Sequence, residues 1–409
     1  MSTLPQLNLY FSKVLQNGKS RNSSFKKYRR FNWWLIAAAL IPTVGVGLFN
    51  IIIDPYDVFD TPNFLGVNHS KPDKDNTDRL FKALDIIRIK PITIFIGSSR
   101  TKQGLDPTHP ALASHQPAYN LALNGPNTYE IRRYLEHAIA NQPNLKEVIF
   151  GVDFFMFNSS LKNQPSFSEN RLEKRHLTIE DVITSTFSWD AYSKSVEAIK
   201  ASLKEPNKND DYGKNGFMPN RNLENGENEW RFKSGITLYF SLHSDYQFSN
   251  QYLSDFKKIV ELCQKHGITL KVFISPSHAI DLEAIRATGR WEVFEQWQRE
   301  IVKITPVLDF SGYNSITTEP ISNYMKNYVD NSHYSQAIGN LVLNRILNYQ
   351  QETVPQDFGI FLTPDNIESH IERLRNDREV WAKNNPNKLK FVEELKREYD
   401  RKRTLEQKK

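Results

Sequence analysis

The stretch that decides the fold is Ile92-Thr93-Ile94-Phe95-Ile96-Gly97-Ser98-Ser99-Arg100. Its first five residues are β-branched or aromatic, which predicts one short buried strand. A glycine follows at once, and Gly97 permits a tight turn there. In an open α/β sheet, ligands and reacting groups lie at the carboxyl ends of the strands. A serine on this turn can therefore serve as a nucleophile if a base reaches it, although Gly-Ser-Ser is also common in ordinary loops.

Strand and helix patterns alternate after this turn. Further strand-like runs lie at 119–123, 148–150, 268–274 and 307–310, and helical spacing recurs at 128–141, 178–204, 248–266 and 291–304. Strands separated by helices predict an α/β fold, with a mostly parallel sheet and helices on both of its faces. Residues 205–230 are rich in Asn, Gly, Asp and Lys and lack periodicity, which predicts a surface insertion, either a lid or a mobile loop.

The positive charge of the chain is concentrated before an apolar run. Residues 1–31 contain seven Lys and Arg and no Asp or Glu, which leaves 46 basic and 47 acidic residues in the rest of the chain. This distribution argues against a nucleic-acid partner. The uncharged run Phe31–Ile53 would span about 35 Å as a helix, enough to cross a bilayer core of about 30 Å. It is too long for a signal peptide, and a buried helical hairpin is the remaining alternative.

We therefore predict a protein that crosses the cell (inner) membrane once. A basic cytoplasmic arm (1–31) precedes a transmembrane helix (32–53), because positive flanks stay in the cytoplasm. The bulk of the chain would be periplasmic or extracellular. It would consist of one exported domain (54–350), which carries the insertion (205–230), and a charged tail (351–409) that is either helical or disordered.

Polar residues follow several of the predicted strands and could form one site. They are Ser98 and Ser99, Asn124 and Gly125, Gly151 and Asp153, and Ser275 and His278, with Asp330 and His333 on a further turn. An Asp three residues before a His can cap a helix while its carboxylate orients the imidazole. The His could then take the serine proton. Because Cys263 is the single cysteine, a disulfide within the chain and a cysteine-based metal site are excluded, and we predict no cofactor and no metal.

Four short blocks in this set resemble those of the SGNH (GDSL-like) hydrolase superfamily, in the family's order and over roughly residues 92–349. The blocks are Gly97-Ser98-Ser99, Asn120-x4-Gly125, Gly151-x-Asp153 and Asp330-x-x-His333. The closer resemblance is to membrane-anchored, exported branches such as the alginate O-acetylation proteins and the D-alanyl transfer protein of teichoic acids. The resemblance implies a three-layer, flavodoxin-like fold.

The resemblance also implies roles for the residues of the blocks. Ser99 matches the nucleophile, whose own N–H belongs to the oxyanion hole, and Gly125 matches the glycine that donates another backbone N–H. Asp330 and His333 match the acid and the base. Ser98 remains an alternative nucleophile if the turn is shifted by one residue.

The third block departs from the family's usual Gly-x-Asn, because Asp153 stands where the Asn side chain would donate to the oxyanion. An ionised carboxylate would repel that charge, so Asp153 must be protonated, turned away or doing another job. Losing one oxyanion donor typically costs about 10²–10³ in rate. Asn124 and Arg100 are candidate replacement donors. His278 is a candidate substrate contact at the cleft rim, or else a satisfied surface histidine.

Together these features predict ester chemistry on a cell-surface or exported glycan through an acyl-Ser99 intermediate. A sugar hydroxyl would resolve the intermediate in an O-acyltransferase, and water would resolve it in an esterase. The resemblance implies a membrane partner that donates the acyl group. The opposing hypothesis is a non-catalytic SGNH-like scaffold or glycan-binding module of a membrane complex, with its triad decayed at Asp153.

Overall fold

The computed structural model describes residues 5–204, 212–213, 215–219 and 226–407, and for residues 5–25 it describes the backbone alone. Much of the predicted insertion at 205–230 therefore lies outside the described residues. The structure divides into two compact units. One comprises residues 1–72 and 179–208, and the other comprises residues 73–178 and 209–409.

The α-helices of the described residues are α1 Pro5–Ile53, α2 Asp78–Ile89, α3 Ser99–Gly104, α4 Thr128–Asn141, α5 Glu169–Leu172, α6 Ile179–Phe187, α7 Trp189–Lys204, α8 Asn228–Ser244, α9 Asn250–Lys265, α10 Ala279–Ala287, α11 Trp291–Ile304, α12 Gln336–Ile346, α13 Ile367–Asn384 and α14 Pro386–Glu406. The strands are β1 Thr93–Ile96, β2 Ala118–Asn120, β3 Glu147–Val152, β4 Thr269–Ile274, β5 Val307–Asp309 and β6 Ile360–Leu362.

The six strands form one sheet in the order β2-β1-β3-β4-β5-β6. The first five strands along the chain pair in parallel, and β6 pairs antiparallel with β5 at one edge. The predicted mixed α/β fold with a mostly parallel sheet is confirmed. The five predicted strands overlap β1 to β5, whereas β6 lies in the predicted tail and was not foreseen.

Alternate strand residues belong to two separate apolar clusters. Ile94, Ile96 and Phe150 lie in one cluster, and Phe95 and Ile149 lie in the other. Every residue of β1 and β3 is buried, as is usual for parallel strands whose two faces are both covered. Their continuous runs of β-branched and aromatic residues follow from this burial.

The tail after residue 350 is ordered and helical through α13 and α14. Leu374 of α13 is buried in one apolar cluster, and Val392 and Leu395 of α14 are buried in the other. Apolar residues at helical spacing hold both helices on the unit that contains the sheet, while their charged residues face outward.

Among its described residues, the first unit contains one helical segment, Lys26–Ile53 of α1, that is long and apolar enough to cross a membrane. Two further helices of this unit, α6 and α7, pack against the C-terminal part of α1. The sequence predicted helix over 178–204, but not this contact.

Candidate active site

The turn after β1 presents Ser99 at the start of α3. Gly97 is required there, because a Cβ atom at this position would lie 2.7 Å from the carbonyl oxygen of Gly151 on β3. Ser98 caps the helix, since its Oγ accepts the backbone N–H of Arg100 at 3.1 Å. Ser98 is fully buried, whereas Ser99 is partly exposed.

Ser99, His333 and Asp330 form one hydrogen-bonded chain. Ser99 Oγ lies 2.8 Å from His333 Nε2, and His333 Nδ1 lies 2.8 Å from Asp330 Oδ2. A nucleophile, a base and an orienting carboxylate are linked in this order in a serine triad. The structure therefore brings Ser99 to two residues, Asp330 and His333, that lie more than 200 positions later in the chain.

The charge on Asp330 determines which nitrogen of His333 carries the proton. Burial raises the pKa of Asp330, but the nearby His333 imidazole and the hydrogen bonds from His333 and the Ser332 backbone outweigh it, so the pKa is lowered overall. The ionised carboxylate accepts the Nδ1 proton of the ring. His333 Nε2 is then left to accept the Ser99 proton.

Two helices set the separation between Ser99 and His333. Ser99 begins α3, and α12 begins directly after the His333 turn, with Ser335 as its cap. The two helix backbones touch, because a Cβ atom on Gly339 of α12 would lie 1.7 Å from the carbonyl oxygen of Gly104 at the end of α3. Glycine at this crossing allows the close approach that lets the imidazole reach the hydroxyl.

The loop that carries Asp330 and His333 is stabilised by hydrogen bonds within the loop and by a side chain of α8. The second oxygen of Asp330 accepts the backbone N–H groups of Ser332 and His333, both at 2.7 Å. From α8, the Asn228 side chain donates to the carbonyl oxygens of Tyr328 and Val329 at 2.9 and 3.2 Å. This helix begins at Asn228, so the last three residues of the predicted insertion at 205–230 are helical.

Asp153 makes an ion pair with Arg100 in the interior. Its Oδ1 accepts Nη1–H of Arg100 at 3.0 Å, and its Oδ2 accepts the Ser98 hydroxyl at 2.6 Å. The sequence left three possibilities for Asp153: that it is protonated, that it is turned away, or that it has another role. This geometry matches the last possibility, and the role is an ion pair with Arg100. The same bonds engage the Ser98 hydroxyl and leave Ser99 as the serine that faces His333.

Arg100 connects the β1 turn to the loop of His333 and is not a free oxyanion donor. Its Nε donates to Ser332 Oγ at 2.8 Å, and its Nη2 donates to the Tyr239 hydroxyl at 2.8 Å and to Asp281 at 2.9 Å. We call Arg100, Asp153, Asp281, Tyr239 and Ser332 the Arg100 network. Sequence reasoning missed its last three members, and only Ser332 carries a signal, because it lies inside the Asp330-x-x-His333 block.

Gly125 lies beside the Ser99 turn. The chain that leaves β2 stays next to β1, because the Leu123 N–H donates to the Gly97 carbonyl at 3.0 Å. Within the described residues, neither the Gly125 N–H nor the Ser99 N–H donates a hydrogen bond to the protein. These two backbone groups are therefore candidate oxyanion donors.

The Asn124 side chain is already engaged. Its Nδ2 donates to the Asp75 carbonyl at 3.0 Å, and its Oδ1 accepts Lys102 Nζ at 2.5 Å. The structure therefore gives this amide a structural role in holding the Gly125 turn, whereas the sequence proposed it as a replacement oxyanion donor.

His278 lies in the interior and not at a cleft rim. Its Nε2 lies 2.7 Å from the Glu319 carbonyl oxygen, and its Nδ1 accepts the Ile280 N–H at 3.1 Å, which caps α10. Burial lowers its pKa to about 4, so the ring is neutral at pH 7. Its own backbone N–H donates to the Asn331 carbonyl at 3.1 Å, which helps to hold the loop of His333.

Comparisons with known proteins add no further constraint. No protein-family model matches the chain, and no curated protein matches it. In the part of the chain that the structure describes, no group of three or more His, Cys, Asp or Glu residues could hold a metal ion. The chemistry proposed next therefore rests on the side chains described above.

Proposed function

We propose that this chain is a membrane-anchored serine esterase or O-acyltransferase that acts on a cell-surface or exported polysaccharide through an acyl-Ser99 intermediate. One observation carries the proposal, the unbroken hydrogen-bonded chain from Ser99 through His333 to Asp330. A serine hydroxyl is a weak nucleophile until an oriented base can remove its proton, and His333, oriented by Asp330, is such a base.

In the first step, Ser99 Oγ attacks the ester carbonyl carbon and its proton passes to His333 Nε2. Asp330 stabilises the imidazolium that forms. The N–H groups of Ser99 and Gly125 would bind the oxyanion. The tetrahedral intermediate then expels the alcohol, which takes the proton from His333, and the acyl group remains on Ser99.

In the second step, water or a sugar hydroxyl gives its proton to His333 Nε2 and attacks the acyl carbon. When this intermediate breaks down, Ser99 Oγ leaves and recovers the proton from His333. Hydrolysis releases the free acid, whereas transfer leaves the acyl group on the glycan. The membrane anchor favours transfer, because acylation systems of the kind that this sequence resembles receive acyl groups from a membrane partner.

The proposed fold is that of the SGNH hydrolases, a three-layer, flavodoxin-like arrangement. The order of the first five strands, 2-1-3-4-5, is the flavodoxin-like order, and it supports this proposal. The assignment of alternate strand residues to two apolar clusters also supports it. Ser99 and Gly125 then follow the carboxyl ends of neighbouring strands, where such folds bind their ligands.

The proposed topology has the N-terminus in the cytoplasm and the bulk of the chain in the periplasm or outside the cell. The seven basic residues that precede the apolar segment of α1 support this orientation. We expect alkaline phosphatase fused after residue 409 to be active. An inactive fusion, together with an active cytoplasmic reporter at the same position, would contradict the orientation.

Labelling with a fluorophosphonate tests the proposed chemistry directly. We expect the full chain in detergent to be labelled and Ser99→Ala to lose the label. Ser160→Ala removes an exposed hydroxyl elsewhere in the same unit and serves as the matched control, with full labelling expected. Equal labelling of the wild type and of Ser99→Ala would contradict the proposal.

A second candidate function is a non-catalytic scaffold or glycan-binding module of a membrane complex. The observation that favours it is the carboxylate of Asp153, which supplies no side-chain donor to an oxyanion and is engaged by Arg100. A scaffold predicts that Ser99→Ala and His333→Ala still support modification of the polymer in cells. Such complementation, with a wild-type protein that is inert toward fluorophosphonate and esters, would replace the enzyme proposal with this one.

A further inference from the structure

The helices α6 and α7, joined by Ser188 alone, are bonded directly to the apolar helix α1. We call residues 179–204 the α6–α7 hairpin. Asn50 of α1 is fully buried at the centre of the contact. Its Nδ2 donates to the Thr186 carbonyl at 2.8 Å, and its Oδ1 accepts the Ser195 hydroxyl at 2.9 Å.

The turn of the hairpin lies beside the part of α1 that would be inside a bilayer. A Cβ atom on Gly47 would lie 2.5 Å from the Phe187 ring, so the two chains are in close contact there. At 1.5 Å per residue, Gly47 lies about 9 Å along the helix before its last residue, Ile53. Because the apolar run of α1 is only slightly longer than a bilayer core, this level lies within the apolar layer or at its boundary.

The outer face of α6 carries an apolar stripe. Ile179, Ile183 and Phe187 recur every four residues, so they share one side of the helix, and they are 80%, 52% and 48% exposed. Trp189 follows directly and is 80% exposed. Soluble surfaces rarely present such a contiguous stripe, and tryptophan is enriched where a membrane meets water.

This stripe adds to an apolar surface that α1 already presents. Val44 and Leu48, at the level of the hairpin turn, are themselves exposed. The polar groups closest to the turn are paired, because Tyr56 donates its hydroxyl proton to Asp190 and Asn50 is satisfied by the hairpin. At the other end of α7, Ser202 accepts the backbone N–H of Ser70 at 3.0 Å, well after the end of α1. A polar end and an apolar turn fit a helix pair that enters a membrane from one side.

We infer that the α6–α7 hairpin is embedded in the bilayer leaflet on the C-terminal side of the α1 segment, with Ile183, Phe187 and Trp189 against lipid acyl chains. Apolar faces of interfacial helices reach about 5–10 Å into a membrane, which agrees with the level of Gly47. The inference rests on α1 as the membrane span of the proposed anchoring, and it is independent of the chemistry of Ser99. The chain then contacts the membrane twice, through α1 and again through residues 179–204.

Spin-label accessibility tests this placement in the full chain, reconstituted in phosphatidylcholine vesicles with a minority of phosphatidylglycerol. The background is Cys263→Ala, which removes the buried single cysteine. Nitroxides are attached to Ile183→Cys on the apolar stripe, to Glu197→Cys on the exposed polar side of α7, and to Val44→Cys on α1. Power saturation then compares collisions with oxygen, which concentrates in lipid, and with a water-soluble nickel chelate.

We expect the ratio of oxygen to nickel collisions to be severalfold higher at Ile183 and at Val44 than at Glu197. A ratio at Ile183 equal to that at Glu197, with Val44 still in lipid, would overturn the hairpin inference and leave the anchor intact. Exclusion of both reagents at Ile183 would show that protein covers the stripe, and would also overturn it. Nickel access at Val44 would overturn the anchor and the inference together.

A second measurement does not depend on labelled cysteines. Phosphatidylcholine brominated near the ester end of its acyl chains quenches tryptophan fluorescence at that depth. We expect it to quench the wild-type chain more than Trp189→Phe, because the other six tryptophans are common to both proteins. Equal fractional quenching of the two proteins would place Trp189 outside the lipid and contradict the inference.

Discussion

Replacing Asp153 with asparagine separates two roles for this side chain. If the carboxylate obstructs an oxyanion hole, the neutral amide should raise esterase turnover. The structure predicts the opposite, because Asp153 accepts hydrogen bonds from Arg100 at 3.0 Å and from Ser98 at 2.6 Å. Asparagine keeps the size of the side chain and one acceptor oxygen, but it removes the charge and turns an NH₂ group toward one of two donors.

The expected loss of stability follows from the buried charges. Arg100 would keep only Asp281 as a carboxylate partner, and burial raises the pKa of Asp281. Removing one partner of a buried ion pair costs about 3–5 kcal/mol. Because one acceptor oxygen and Asp281 remain, we expect Asp153→Asn to lower the free energy of unfolding by about 3 kcal/mol, at the low end of that range.

The expected loss of activity follows from the bond between Arg100 Nε and Ser332 Oγ, at 2.8 Å. Ser332 is the neighbour of His333, so a shift of Arg100 moves the base relative to Ser99. A misplacement of about 1 Å can cost about 10²-fold in rate. We therefore expect kcat for Asp153→Asn to fall about 10²-fold, with KM little changed, because the Asp153 side chain is buried and engaged by Arg100 and Ser98.

The assay is hydrolysis of p-nitrophenyl acetate by the full chain in detergent, with urea unfolding measured on the same samples. Asp255→Asn is the matched control, because Asp255 is a buried aspartate whose carboxylate accepts Arg132 Nε at 2.8 Å between α9 and α4. It should lose stability but keep the kcat of its folded fraction. An Asp153→Asn protein with kcat equal to or above that of the wild type would refute the structural reasoning.

Four further predictions concern the same unit. Ser99→Ala and His333→Ala should each abolish most of the turnover and the double variant should lose little more, whereas losses that add would contradict a triad that acts as one unit. A mass adduct from an activated-ester probe should map to Ser99, and an adduct on Ser98 alone would reverse the assignment of the nucleophile. Gly339→Ala should lower kcat by about 10²-fold or more, because the new Cβ would lie 1.7 Å from the Gly104 carbonyl oxygen and must separate α3 from α12. Unchanged kinetics would contradict the role of this helix crossing. Burial lowers the pKa of His278 to about 4, whereas this side chain has a pKa of about 6.5 in the unfolded chain. The free energy of unfolding should therefore fall by about 3 kcal/mol between pH 6.5 and pH 4, because protons bind the unfolded chain first. In His278→Gln this part of the pH dependence, measured by urea unfolding, should be absent.

Local patterns were enough to predict the framework of the protein. The run Ile92–Ile96 reads as a buried strand because each of its side chains suits a sheet covered on both faces, and β1 has this environment. The uncharged run before Ile53 predicts a long apolar helix for the same kind of reason, since it carries no charged residue over a length that can cross a bilayer. The short blocks around Ser99 and His333 named the residues that the fold brings within 2.8 Å of each other.

The roles of most polar residues were decided only by the tertiary structure. From the sequence, Arg100 was a candidate oxyanion donor and Asp153 was an obstacle to an oxyanion hole. The fold pairs the two side chains with each other in the interior. His278 was a candidate rim residue, and the fold buries it beneath the loop of His333. The α6–α7 hairpin read as ordinary helix, and its place on α1 follows from Asn50, more than 130 residues away.

The physical reason is the range of the interactions involved. Strand and helix periodicity is set by neighbours within a few residues, so a sequence by itself determines it to a large extent. The role of a buried charge or a histidine depends on which partner lies within hydrogen-bonding distance, and burial without such a partner is costly. Those partners, such as Asp281 for Arg100 and Glu319 for His278, come from distant parts of the chain, and only the folded structure brings them together.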